Sequence, residues 1–85
     1  MKHAGQAALN RLESLLAEIR KHDGLKEKSR GVFYRRSKAF LHFHEDPSGD
    51  HADVRGPAGE FERFRCETAQ ERIALLGRID ALLKD

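Results

Sequence analysis

Residues 39–55, Ala-Phe-Leu-His-Phe-His-Glu-Asp-Pro-Ser-Gly-Asp-His-Ala-Asp-Val-Arg, alternate apolar and polar side chains on either side of a turn sequence. Successive residues of a strand point to opposite faces, so Ala39, Leu41 and Phe43 are expected on one face and Phe40, His42 and His44 on the other. Pro47 has a fixed φ, Gly49 can take a positive one, and Asp46 and Ser48 can bond nearby backbone, which together make a turn. Centring that turn on Pro47 and Ser48 sets His44 opposite His51, Phe43 opposite Ala52, His42 opposite Asp53 and Leu41 opposite Val54. Every apolar residue then meets an apolar partner, whereas a slip of one residue would move the whole apolar set to the wrong face. The rest of the chain must cover this apolar face.

Two segments have the pattern to do so. Between Ala4 and about His22, Ala8, Leu9, Leu12, Leu15, Leu16 and Ile19 recur at spacings of three and four, the period of an amphipathic helix. Near the C-terminus Thr68-Ala-Gln-Glu71 has the form of a capping box, in which the Thr hydroxyl and the Glu carboxylate satisfy each other's free amides. The helix it opens is expected to run to about Lys84 with Ile73, Leu75, Leu76, Ile79, Leu82 and Leu83 as its apolar stripe.

Val32, Phe33 and Tyr34 suit a strand, with Val32 and Tyr34 expected on the apolar face and a tight turn at Ser37-Lys38 leading into the hairpin. Leu25 to Arg30 reads as a basic connection. After the Gly56-Pro57-Ala58-Gly59 turn, Phe61 to Cys66 reads as a further strand whose register is open, because Phe61 and Phe64 cannot share a face without a bulge. The expected fold is a two-layer α+β sandwich in the order α-β-β-β-β-α, with an antiparallel sheet and both helices packed on one face. One domain is expected over 1–85, with 1–3 and 84–85 frayed.

Eighty-five residues allow one modest core, since so small a domain buries only about 60–65% of the surface its unfolded chain exposes. A deep enclosed active site is therefore not expected, and the chain reads as a non-enzymatic module. The single Cys66 permits neither an intrachain disulfide nor a cysteine-based metal cluster, which fits a reducing, cytoplasmic setting. No apolar run is long enough to suggest a membrane span. Sixteen Lys and Arg against fourteen Asp and Glu leave a net charge of +2, too small to argue for a nucleic-acid partner by itself.

The distribution of charge is more telling. Lys26, Lys28, Arg30, Arg35, Arg36 and Lys38 carry one run, which could meet RNA or DNA, although acidic residues beside it would repel a polyanion. Glu45, Asp46, Asp50 and Asp53 carry the opposite sign around the Pro47 turn. They lack the spacing of a calcium loop.

The face opposite the core is expected to carry Phe33, Arg35, Phe40, His42, His44, His51, Asp53 and Arg55. A His-x-His strand with a third His on its neighbour can offer three corners of a tetrahedron to Zn²⁺ or Ni²⁺, and Asp53 could be a fourth ligand or an acceptor that fixes a tautomer. Plain solvent-facing polarity competes with that reading. Phe33, Arg35, Phe40 and Arg55 would make a partly apolar patch suited to a second copy or to a protein or peptide partner. Cys66 is expected to be a buried apolar residue, with no base beside it.

The segment Gly31-Val-Phe-Tyr-Arg-Arg-Ser-Lys-Ala-Phe-Leu-His-Phe-His-Glu-Asp-Pro-Ser-Gly, followed by Ala52-Asp53-Val54-Arg55 and Phe61-Glu62-Arg63-Phe64-Arg65, resembles a group of short uncharacterised bacterial proteins. The resemblance covers most of 24–83. It implies a small stand-alone bacterial domain and carries no assigned activity or residue role.

Overall fold

The computed structural model describes residues 2–84; Met1 and Asp85, expected to be frayed, lie outside the described residues. In chain order the elements are β1 (Lys2–His3), α1 (Gln6–Arg11), α2 (Glu13–Ile19), β2 (Lys26–Ser29), β3 (Val32–Arg35), β4 (Lys38–Asp46), β5 (Gly49–Arg55), β6 (Phe61–Arg65) and α3 (Ala69–Leu82). The strands form one antiparallel sheet in the order β2-β3-β4-β5-β6, with β1 paired to the far end of β4. The fold is α+β. Two strands were not expected: β2, where a basic connection was read, and β1, where fraying was.

The first helical segment is divided at Leu12, whose φ of −93° and ψ of 0° depart from helical values. Backbone bonds from Leu12 to Ala8 and from Leu16 to Leu12 carry the chain across the break, so the apolar stripe stays continuous. Ala8, Leu12, Leu15, Leu16 and Ile19 are all buried. At α3 the capping box forms as expected, with Thr68 accepting from the Glu71 amide and Glu71 accepting from the amide of Thr68. Leu75, Ile79 and Leu82 are buried, but Ile73 is 68% exposed and lies outside the apolar stripe.

The β4–β5 register is the one derived from the alternation: Leu41 faces Val54, His42 faces Asp53, Phe43 faces Ala52 and His44 faces His51. On β6, Phe64 lies opposite Ala52 and Phe61 opposite Arg55, so the two aromatics point to opposite faces and no bulge is needed. Leu41, Phe43, Ala52 and Val54 join Leu12, Leu15, Leu16, Ile19, Leu75, Ile79 and Leu82 in one hydrophobic cluster. Each such large aliphatic or aromatic side chain contributes about 1.5–3 kcal/mol on full burial, so this cluster is the main stabilising feature.

Two members of the cluster correct the expected interaction surface. Phe33 and Phe40 are 1% and 3% exposed and belong to the core. Phe33 pairs with Leu41, yet the next residue, Tyr34, pairs with Ala39, which leaves Phe40 as an extra residue in β4. Two residues opposing one make a β-bulge. It turns Phe40 inward beside Leu41 and brings Phe33 to the core face in place of Val32 and Tyr34. Arg35 follows Phe33 onto that face, where its Nη1 donates to the carbonyl of Leu82 at 3.1 Å, so it too leaves the expected outer surface.

Arg36 and Ser37, not Ser37 and Lys38, form the β3–β4 turn, with φ of 53° and 69°. Positive φ at both central residues is the two-residue turn that matches strand twist, and here it is made without glycine. No described helix is long and apolar enough to cross a membrane.

Candidate metal centre

Alternation along β4 and β5 places His42, His44, His51, Asp53 and Arg55 on the face opposite the core, joined there by Phe61, Arg63 and Arg65 of β6. β1 adds His3, paired with His44. Two further bonds hold β1 in place: the Gly5 amide donates to Glu45 Oε2 at 2.6 Å, and the Ala4 amide to the Phe43 carbonyl at 3.1 Å.

The ligand nitrogens of His3, His42 and His44 all lie within 4.8 Å of one another, the one such group among the described residues. His44 Nε2 is 3.0 Å from His42 Nδ1, a contact between two ring nitrogens that requires a proton shared between them. The His3 ring stacks on His44 with centroids 4.8 Å apart, and His42 rests against Phe61 at 4.9 Å. Burial, and then the neighbouring His44, lower the His42 pKa from its ordinary 6.5, favouring the neutral ring that a metal needs.

Asp53 forms the floor of the cluster. It is 6% exposed, accepts from Arg63 Nε and Nη2 at 2.7 and 2.8 Å, and has Oδ2 3.3 Å from His44 Nε2. The hydrogen bonds from Arg63 hold its carboxyl below the ordinary value of 3.8. A bidentate Arg–carboxylate pair fixes both planes, so Arg63 orients the group beside which the two imidazoles meet.

The sequence-derived set is therefore divided. His42, His44 and Asp53 come together, whereas His51, although opposite His44, stands outside the converging nitrogens with its Nδ1 buried and without a protein partner. His3 and Arg63 complete the cluster instead. A two-residue strand has no periodicity by which His3 could be found, but choosing Phe64 as the inward residue of β6 sets Arg63 opposite Asp53 at once.

Of the expected interaction residues only Arg55 is on this face. It donates to the carbonyls of Ala39 and Gly59 at 2.7 and 2.9 Å, and its guanidinium lies 4.6 Å over the Phe61 ring. Phe61, 40% exposed, takes the place of Phe33 and Phe40 as the surface aromatic. No family model, curated protein or solved structure matches the chain.

The other candidates from the sequence have structural roles. Burial pushes the Cys66 thiol up to about 12, which removes it as a nucleophile at neutral pH. Around the Pro47 turn, Glu45 accepts from Gly5, Asp46 from both the amide and hydroxyl of Ser48, and Asp50 from Arg11. Those carboxylates organise the backbone and leave no open oxygen cage for a hard cation.

Proposed function

We propose that this is a small non-enzymatic, cytoplasmic binding module whose outer sheet face takes up a transition metal, Zn²⁺ or Ni²⁺, through His3, His42 and His44. The convergence of three imidazole nitrogens within 4.8 Å carries the reading. Tetrahedral zinc with Zn–N near 2.0–2.1 Å needs nitrogens about 3.3 Å apart, so His42 and His44 are already close to that spacing. Only β1 has to move, by about 1.5 Å at most, which is the difference between the observed 4.8 Å limit and that spacing. Asp53, shared with Arg63, is the carboxylate beside the cluster, with Oδ2 3.3 Å from His44 Nε2.

Binding would replace the proton now held between His42 and His44. The remaining N–H of His44 would then sit on Nδ1, which is buried without a protein acceptor. An unsatisfied donor costs about 1–3 kcal/mol. Structural zinc in finger peptides contributes about 10–16 kcal/mol, so the site keeps a net affinity but a weaker one.

Titration with Co²⁺ or Ni²⁺ followed by ring NMR and visible absorption should give one saturable site with shifts at His3, His42 and His44 and none at His22. His44→Asn should abolish it, and His3→Asn should weaken it about tenfold or more, at least the loss that follows when a hydrogen-bond partner of a ligand is removed. Absence of saturable binding at micromolar metal, or full binding by the His44→Asn protein, would sink the proposal.

A further inference from the structure

At the end of the sheet away from the Pro47 turn, the β3–β4 turn, the β5–β6 turn and the last turn of α3 enclose a cleft of about 580 Å³. Arg35, Arg36, Lys38, Arg55 and Arg78 line it, and among the described residues no carboxylate does. The volume lies in the range of small-molecule sites. From this combination we infer that the cleft binds a small phosphate ester bearing an aromatic or apolar group, of the size of a mononucleotide.

The five cations have different duties. Arg78 is held by Glu62 through two bonds of 2.9 and 2.8 Å, and Arg35 meets the Leu82 carbonyl at the C-terminal end of α3. Arg35 thereby offsets the negative end of the helix dipole, which would otherwise oppose an anion. Arg55 is fixed by two backbone carbonyls and the Phe61 ring, contacts that set its direction without a carboxylate partner among the described residues. Arg36 and Lys38 are exposed and pair with no carboxylate among the described residues. Arg36, Lys38 and Arg55, which line the same cleft, are thus the anion-binding group, with Ala39, Pro57 and Leu82 as an apolar wall for the rest of the ligand.

A nucleic-acid strand fits less well. The two depressions that continue past Arg36 are both lined by Asp23, so a polyanion running out of the cleft would meet a negative charge. One phosphate group with one attached ring avoids it. None of the three clustered histidines lines this cleft, and the link between the two sites is the Phe61 ring, which touches Arg55 on one side and His42 on the other.

Amide NMR of the whole chain in metal-free, low-salt buffer, titrated with adenosine monophosphate, pyrophosphate, adenosine and an octaribonucleotide, tests the inference. Adenosine monophosphate should shift Arg36, Lys38 and Gly59 saturably, adenosine should bind about tenfold more weakly or not at all, and added salt should weaken the phosphate ligands. Arg36→Asn with Lys38→Gln should reduce the affinity about fivefold or more with the remaining spectrum native; Asn is chosen because it tolerates the positive φ at 36. If that protein fails to fold, Lys38→Gln alone should still lower it about twofold. No saturable shift with either phosphate compound, or unchanged affinity in the variants, overturns the inference. Binding of the octamer about tenfold tighter than the mononucleotide overturns it in favour of a nucleic-acid strand.

Discussion

The two faces of the β4–β5 hairpin are built from alternate residues of the same strands, yet they divide the work of the protein between them. On the inner face Leu41, Phe43, Ala52 and Val54 belong to the apolar cluster and are at most 2% exposed. The outer face holds three histidines, a buried aspartate and an arginine joined by direct contacts. Stability should follow the inner set and ligand chemistry the outer one. The contrast shows how a small domain can present an ordered polar cluster on an open sheet face: the core fixes the strands, and the strands fix the imidazoles.

The sharpest way to break this division is at Phe33 and Tyr34, adjacent residues on opposite faces. Phe33→Ala should cost about 3–5 kcal/mol, the range for removing a buried aromatic. Tyr34→Ala removes a half-exposed ring under Lys28 Nζ at 4.3 Å and should cost about 1 kcal/mol or less. Urea denaturation of the two proteins checks both, and equal losses would mean that the bulge at Phe40 does not set the faces as described.

Asp53 tests whether the outer face is merely decorative for folding. Asp53→Asn keeps the volume but removes the charge-assisted bonds from Arg63, for an expected loss of about 1–2 kcal/mol at pH 7. Because the folded carboxyl is held below its ordinary 3.8, its contribution is fully present above that value and disappears as pH falls through the depressed one. The stability curves of the native and Asn proteins should therefore converge in acid; a gap that persists there would make the effect one of packing rather than charge.

The smallest effect expected is a gain. Ser37 holds a φ of 69° that glycine adopts without steric cost, so Ser37→Gly should stabilise by about 0.5–1 kcal/mol. In a chain of this size that raises Tm by roughly 3–6 °C by calorimetry. Since the turn lies at the sheet's end, metal titrations of the outer face should be unchanged.

The hairpin is legible in the sequence because two signals agree, the alternation and a turn whose residues all suit one geometry. The α3 cap was legible for the same reason: Thr68 and Glu71 have few other uses at that spacing. What stayed hidden had no local pattern. β2 is Lys-Glu-Lys-Ser, an edge strand whose charges protect a free edge and carry no apolar period. β1 is two residues long and exists through its pairing with β4, so His3 could not be placed beside His42 and His44. Phe33 and Phe40 misled because an aromatic residue on the wrong phase looks like a surface patch until the bulge is known.

That bulge has a further consequence. Strand alternation is a code with two phases, and Phe40 acts as a frameshift within it: after it the odd-numbered residues of β4 turn inward, and before it the even-numbered ones do. Lys38 is thereby carried, with Arg35 opposite it, to the side of the sheet that meets the end of α3, instead of emerging on the side of the imidazoles. One inserted residue keeps an ammonium off the face of the imidazoles, and on the proposed readings a single strand would serve a cation at one end and an anion at the other.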